Sequence, residues 1–161
     1  MGKKEEILTW LTKCGVSFET VVHPAVFTID ALEALQLDKY GLVCKNLFLR
    51  DQKGKRHYLV VVRQEKQVDL KALGQRLGDK LSFASEERLE RYLHLTKGAV
   101  TPLGVFYNEA RNVEVIIDQD LMQESSVGVH PGENDASVFL SPDDLVRLIQ
   151  THGNPVSLLQ I

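Results

Sequence analysis

No stretch of this 161-residue chain approaches the roughly 18 consecutive apolar residues of a membrane span, and Met1-Gly2-Lys3-Lys4-Glu5-Glu6 has no apolar signal-peptide centre. A cytoplasmic protein that leaves the membrane alone is the expectation. Cysteine is also scarce. Cys14 and Cys44 form no CxxC pair and have no metal-like spacing to a histidine, which argues against a disulfide framework and for a reduced compartment. Cys44 lies in an apolar segment, where a small packing residue is the ordinary reading and a reactive thiol beside Lys45 the other. The five histidines (His23, His57, His94, His130, His152) lack the mutual spacing of a zinc site. GxSxG, Walker, GxGxxG and HExxH patterns are all missing, so several enzyme classes lose support together. A metal-free mechanism is what remains.

The chain has the length of one domain, spanning residues 1–161, and can bury about two-thirds of its unfolded surface. Its net charge of -3 argues against wholesale binding to nucleic acid. The charge is nevertheless uneven: residues 50–80 hold nine Lys/Arg against four Asp/Glu, whereas residues 104–161 hold two against nine. The basic stretch is either a solvated face or a surface for phosphates, and Lys53, Lys55 and Arg56 at its hairpin tip are the candidate phosphate contacts.

Local patterns predict a mixed α/β architecture. Ile7, Leu8 and Leu11 recur at helical spacing before Gly15, and Ser17 to His23 alternates like a strand. Thr28 reads as the cap of a short helix, Asp69 as that of a helix ended by Gly78, Ser85 as that of another, and Ser141-Pro142-Asp143-Asp144 as the start of the last. Strands are predicted over Leu42–Leu49, Arg56–Arg63, Leu81–Ala84, Val113–Asp118 and Ala136–Leu140, with Ser126–Val129 a further candidate. Asp51-Gln52-Lys53-Gly54 turns the first pair into a hairpin. Gly98 to Gly104 reads as a loop that cannot hold a regular helix. One mixed sheet surrounded by helices follows, because so many successive strands do not suit a doubly wound parallel sheet.

Within the strand Leu42–Leu49, apolar on both faces, stand Lys45 and Asn46. A buried ammonium without a partner is strongly disfavoured. Either Lys45 snorkels to water at an open end of the strand, or an anionic or carbonyl-rich ligand comes to meet it. Gly98-Ala99-Val100-Thr101-Pro102 can present consecutive N–H groups to an oxyanion, or can simply connect two elements. His130, held extended by Pro131, projects from a turn.

Taken in order, Cys44-Lys45-Asn46-Leu47-Phe48-Leu49, Leu81 to Leu89, Gly98 to Pro102 and His130-Pro131 resemble the YbaK/ProX family of aminoacyl-tRNA deacylases. The likeness runs from His23-Pro24 and Thr28 to Ser141–Leu145. It is strongest to the freestanding alanyl-tRNA(Pro) deacylase branch (PrdX, ProXp-ala), related to the editing insertion of bacterial prolyl-tRNA synthetases. The sequence departs from the branch at Asn134-Asp135-Ala136-Ser137, where many relatives have Asn-Thr-Ala-Thr. The resemblance implies a mixed α/β editing domain, hydrolysis of mischarged Ala-tRNA(Pro), and no cofactor or metal. It implies that Lys45 acts on the acceptor end, that Gly98 and Ala99 offer amides to the ester carbonyl, and that the terminal ribose hydroxyl helps in place of a protein base. Asn46, Val100, Thr101, Pro102 and His130 would then line the aminoacyl site. The expected partners are the tRNA(Pro) acceptor end and prolyl-tRNA synthetase, acting on a monomer. A cysteinyl-tRNA(Pro) deacylase and a non-catalytic module that binds aminoacyl-tRNA or a synthetase are the competing readings.

Overall fold

The computed structural model describes residues 2–25 and 28–161. Among these, five α-helices and eight strands alternate as α1 (Lys3–Lys13), β1 (Phe18–Val22), α2 (Ile29–Ala34), β2 (Leu42–Arg50), β3 (His57–Arg63), α3 (Leu70–Leu77), β4 (Ser82–Phe83), α4 (Glu86–Leu93), β5 (Val113–Asp118), β6 (Val127–Val129), β7 (Ala136–Leu140), α5 (Pro142–His152) and β8 (Val156–Leu159). The helices begin where short polar side chains can satisfy first-turn N–H groups: Thr28, Asp69, Ser85 and Ser141 each accept from the amide two or three residues on.

The strands form one mixed sheet in the order β1-β7-β6-β2-β3-β5-β8, with β4 added beside β2. The pairs β2–β6, β3–β5 and β5–β8 are parallel and the rest antiparallel. β3 shows why the central strands read as unbroken apolar runs. Leu59 and Val61 enter a large core under α1, α4 and α5, while Tyr58, Val60 and Val62 enter a smaller one under α3. Burial on both faces favours β-branched residues throughout, without polar alternation.

β2 occupies the position on which the sheet divides. One edge pairs with β3 from Cys44 to Arg50. The other edge pairs with β6 at Leu42 and Val43, and with β4 only at Leu49 and Arg50. From Lys45 to Leu47 that second edge meets no strand among the described residues, leaving a notch in the sheet.

Two elements depart from the sequence reading. Val156–Leu159 forms the edge strand β8, paired with Val115–Asp118; it is short and half-exposed, so only its parallel partner makes it a strand. Pro102–Tyr107 coils into a 3-10 turn rather than a plain loop, because Thr101 Oγ1 accepts from Leu103 N and the proline starts the turn.

β6 also requires Gly128, since an ideal Cβ there would lie 2.5 Å from the Phe139 ring. The Gly128→Ala protein is expected to lose about 1–3 kcal/mol of stability by overpacking. Urea melts check this, and an unchanged midpoint would show that the ring yields freely.

Candidate active site

Lys45 and Asn46 stand in the notch and face opposite ways. Lys45 shares a face with Leu47 and Leu49 on the α3 side, whereas Asn46 shares one with Cys44 and Phe48 toward the large core. Lys45 is half-buried opposite Val62 and has no ion-pair partner among the described residues. The cation is therefore available to a ligand.

Asn46 anchors the Gly98–Pro102 loop. Its Nδ2 donates to Val100 O at 3.1 Å, tying that loop to β2 on the face of the sheet that Asn46 shares with Phe48. Its Oδ1 is buried with no hydrogen-bond partner among the described residues, an acceptor that costs free energy until a donor reaches it.

The loop divides its labour differently from the sequence expectation. Gly98 is exposed with φ +93°, a conformation that glycine tolerates best, and its N–H makes no hydrogen bond among the described residues. Val100 N–H is free in the same sense. Ala99 is not a carbonyl donor, because its N–H donates to Thr96 O at 3.1 Å within the turn. Thr101 is fully buried with its hydroxyl spent on Leu103 N, and Pro102 is buried beside it, so both shape the loop instead of lining the substrate.

His130 follows β6. Counting two residues onward from the parallel Val43–Gly128 pair along both strands brings Lys45 level with His130. The His130 ring donates from Nδ1 to Ala136 O at 3.3 Å, which leaves Nε2 as an acceptor. Burial holds this imidazole below its ordinary pKa, outweighing the opposing hydrogen bond that it donates to Ala136 O. His23 in turn donates from Nδ1 to Pro24 O at 2.8 Å and accepts from Ser137 Oγ at 2.9 Å. Ser137, where the family pattern has threonine, thus keeps a hydroxyl in service behind the histidines.

The hairpin tip also needs correction. Arg56 is not free for phosphate: its guanidinium grips Glu114 through two hydrogen bonds of 3.0 and 2.9 Å and Asp79 through a third of 3.1 Å. Lys53 and Lys55 remain exposed without carboxylate partners among the described residues. Behind them Arg88 bonds Gly54 O and the Nε2 of His57, both at 3.1 Å, and His57 packs against Phe48 and Tyr92. Burial, helped by Arg88, depresses the His57 pKa to about 4. Cys44 is the opposite case: burial pushes its thiol up to about 12, which removes it as a ready nucleophile. Among the described residues, no three His, Cys, Asp or Glu side chains group so as to hold a metal ion, and no helix is long and apolar enough to cross a membrane.

The sequence reading passed over one further feature. Beside the loop opens a cleft of about 590 Å³, lined by Asn46, Phe48, Phe83, Leu89, Lys97 and Gly98. Its residues come from three distant segments, so no local pattern marks it.

Residues 23–148 match the model of the aminoacyl-tRNA editing domain. The chain belongs to that family. It is 41% identical over 162 residues to the prolyl-tRNA editing protein ProX of Acetoanaerobium sticklandii, covering 100% of this chain and 99% of the relative. It is 33% identical to the prolyl-tRNA synthetase associated domain-containing protein 1 of Danio rerio, over 96% of this chain and 86% of the relative. A solved structure described as a candidate trans-editing enzyme for prolyl tRNA synthetase superimposes with a TM-score of 0.76 at 22% identity, over 100% of this chain and 98% of the other, and so shares the fold.

The His57 environment has a measurable consequence. Its pKa lies at about 4 when folded against 6.5 ordinarily, so between these values the unfolded chain binds a proton that the folded chain refuses. Stability should therefore rise with pH across that window and fall on acidification. Replacing His57 by Gln, which keeps an acceptor for Arg88, should flatten the slope in urea melts taken from pH 4.5 to 7. A variant with the parent slope would assign the acid sensitivity to other groups.

Proposed function

We propose that this protein is a trans-editing deacylase that hydrolyses the ester of alanine mischarged onto tRNA(Pro). The reading is carried by full-length similarity to a protein named for prolyl-tRNA editing, and the notch supplies chemistry that suits it. A synthetase pocket shaped for one side chain discriminates weakly against a smaller one, and a second, tighter site can reject the correct product by size. Proline would be refused and alanine admitted.

In this reaction water adds to the ester carbonyl, the carbonyl oxygen becomes an oxyanion, and the C–O bond to the terminal ribose breaks. The ribose oxygen leaves with a proton, and the free amino acid departs. The unspent Gly98 N–H, with that of Val100, holds the developing oxyanion in this reading, whereas the Ala99 N–H is committed to Thr96 O. Lys45 neutralises the phosphate or carbonyl charge of the acceptor end. His130, kept neutral by burial, offers Nε2 to the amino group of the substrate and fixes its orientation. Asn46 positions the loop through Val100 O. The mechanism uses no metal, and the ribose hydroxyl of the substrate serves where the protein offers no base.

A panel of tRNA(Pro) charged with alanine, cysteine or proline tests the reading. Alanine should be released fastest and proline spared; preferential release of cysteine would reassign the substrate, and release of none would overturn the activity. Lys45→Ala should fold normally and lose at least about 100-fold in deacylation, the scale of one lost electrostatic contact to a transition state. Near-parent turnover in that variant would remove Lys45 from the mechanism. Cys44→Ala and chelator treatment should each leave activity in place, and chelator loss restored by zinc would overturn the metal-free mechanism.

The same reading predicts modest tRNA binding through few phosphates. Reversing Lys53 and Lys55 to Glu should weaken binding and reduce its salt slope by somewhat less than one unit per lost contact. Arg56→Ala should instead lower stability more than affinity, because its guanidinium is already committed to Glu114 and Asp79. Equal effects on affinity from the two changes would contradict this division.

A further inference from the structure

We propose that the cleft beside the notch is a subsite for a nucleobase of the single-stranded 3′ end of the tRNA, stacked on Phe83 and read through its exocyclic amino group by Asn46 Oδ1. The proposal rests on the deacylase reading, since it supplies the arm by which the ester would be held in place.

Three observations converge on it. Phe83 is 62% exposed although it belongs to a two-residue strand paired to β2, so the sheet holds an aromatic face in water at the cleft wall. An aromatic ring presented in this way is the usual platform for an unpaired base, because every base has a π-face and stacking does not need groove geometry. The cleft, at about 590 Å³, has room for a base and its sugar, and Phe48 and Leu89 give it apolar walls. Asn46 adds a buried Oδ1 without a partner, while its Nδ2 is already spent on Val100 O. Only a donor can satisfy that atom. Adenine and cytosine carry an exocyclic amine, whereas uracil offers carbonyl oxygens in its place.

Charge orders the ligand within the cleft. Glu86 lines one side and would repel a phosphate there, whereas Lys97 lines the cleft beside Gly98, is exposed and has no carboxylate partner among the described residues. The neutral base therefore enters between Phe83 and Asn46, and the backbone passes Lys97. Gly98 lines the same cleft, so a base seated there brings its strand to the loop whose free amide would hold the ester carbonyl. The sheet notch and the cleft are then two halves of one path.

The test uses acceptor-stem minihelices ending in CCA, in UUU, or without single-stranded nucleotides, titrated against the full chain. The CCA minihelix should bind tightest, and Phe83→Ala should weaken it by about 5- to 30-fold, the scale of one lost base–aromatic stack. Phe83→Leu, which keeps apolar surface without a ring, should also weaken it. With charged tRNA(Pro), Phe83→Ala should raise KM far more than it lowers kcat, as expected for lost binding common to ground and transition states. Parent affinity for the CCA minihelix in both Phe83 variants would overturn the subsite, and equal binding of the CCA and UUU ends would overturn its reading by Asn46. Failure of the deacylase reading is separate: the parent protein would then release no amino acid from charged tRNA(Pro), whatever the minihelices do.

Discussion

The rest of this structure depends on β2 having two different neighbours on one edge. Parallel β6 covers its first residues and antiparallel β4 its last, so the backbone between them is denied a strand partner. Buried or half-buried backbone groups must find partners elsewhere. Beside this gap Asn46 secures the Gly98–Pro102 loop over the sheet face by bonding Val100 O. A polar pair that would be costly in the middle of a fully paired strand is tolerated here because the sheet is open at that point. The functional features follow from the same opening: a cation without a partner, an amide without an acceptor, and an adjoining cleft.

Electrostatic economy separates structural charge from available charge. Arg56, Glu114, Asp79 and Tyr58 form a closed group in which Tyr58 also donates to Asp79, and Lys66 is likewise held by Asp118 and Asp120. Arg56 and Lys66, two of the nine basic residues in the 50–80 stretch, are thus committed within the fold. Among the described residues, the lysines without a carboxylate partner include Lys45 in the notch, Lys53 and Lys55 at the turn, Lys97 at the cleft, and Lys71 and Lys80 on the α3 side.

The histidines illustrate how burial sets chemical role. His57 is kept neutral by burial inside an aromatic stack, with the Arg88 cation adding to the effect, and it serves the fold. His130 is held neutral by burial near a turn that reaches the notch, with one nitrogen fixed by a carbonyl and the other left as an acceptor. His23 and Ser137 form the layer behind it.

Much of the fold was legible from local chemistry alone. Caps at Thr28, Asp69, Ser85 and Ser141 marked helix starts, and the apolar runs around Val61 and Ile116 could only be buried strands. The oddity of Lys45 and Asn46 was legible for the same reason, since a charge in a two-faced apolar strand violates burial chemistry wherever the strand sits. The opposite orientations of that pair also followed from the strand period. Other assignments required the third dimension. Ala99 differs from Gly98 as a donor only because its amide closes a turn on Thr96, and Arg56 differs from Lys53 only because Glu114 and Asp79 arrive from other segments. β8 is a strand because β5 lies beside it. Residue type and spacing determined which groups could be polar, buried or cationic. Which of those groups remain unsatisfied, and so free for a substrate, was decided by long-range pairing, because a hydrogen bond or ion pair is consumed by whatever partner the folded chain brings within 3 Å or so.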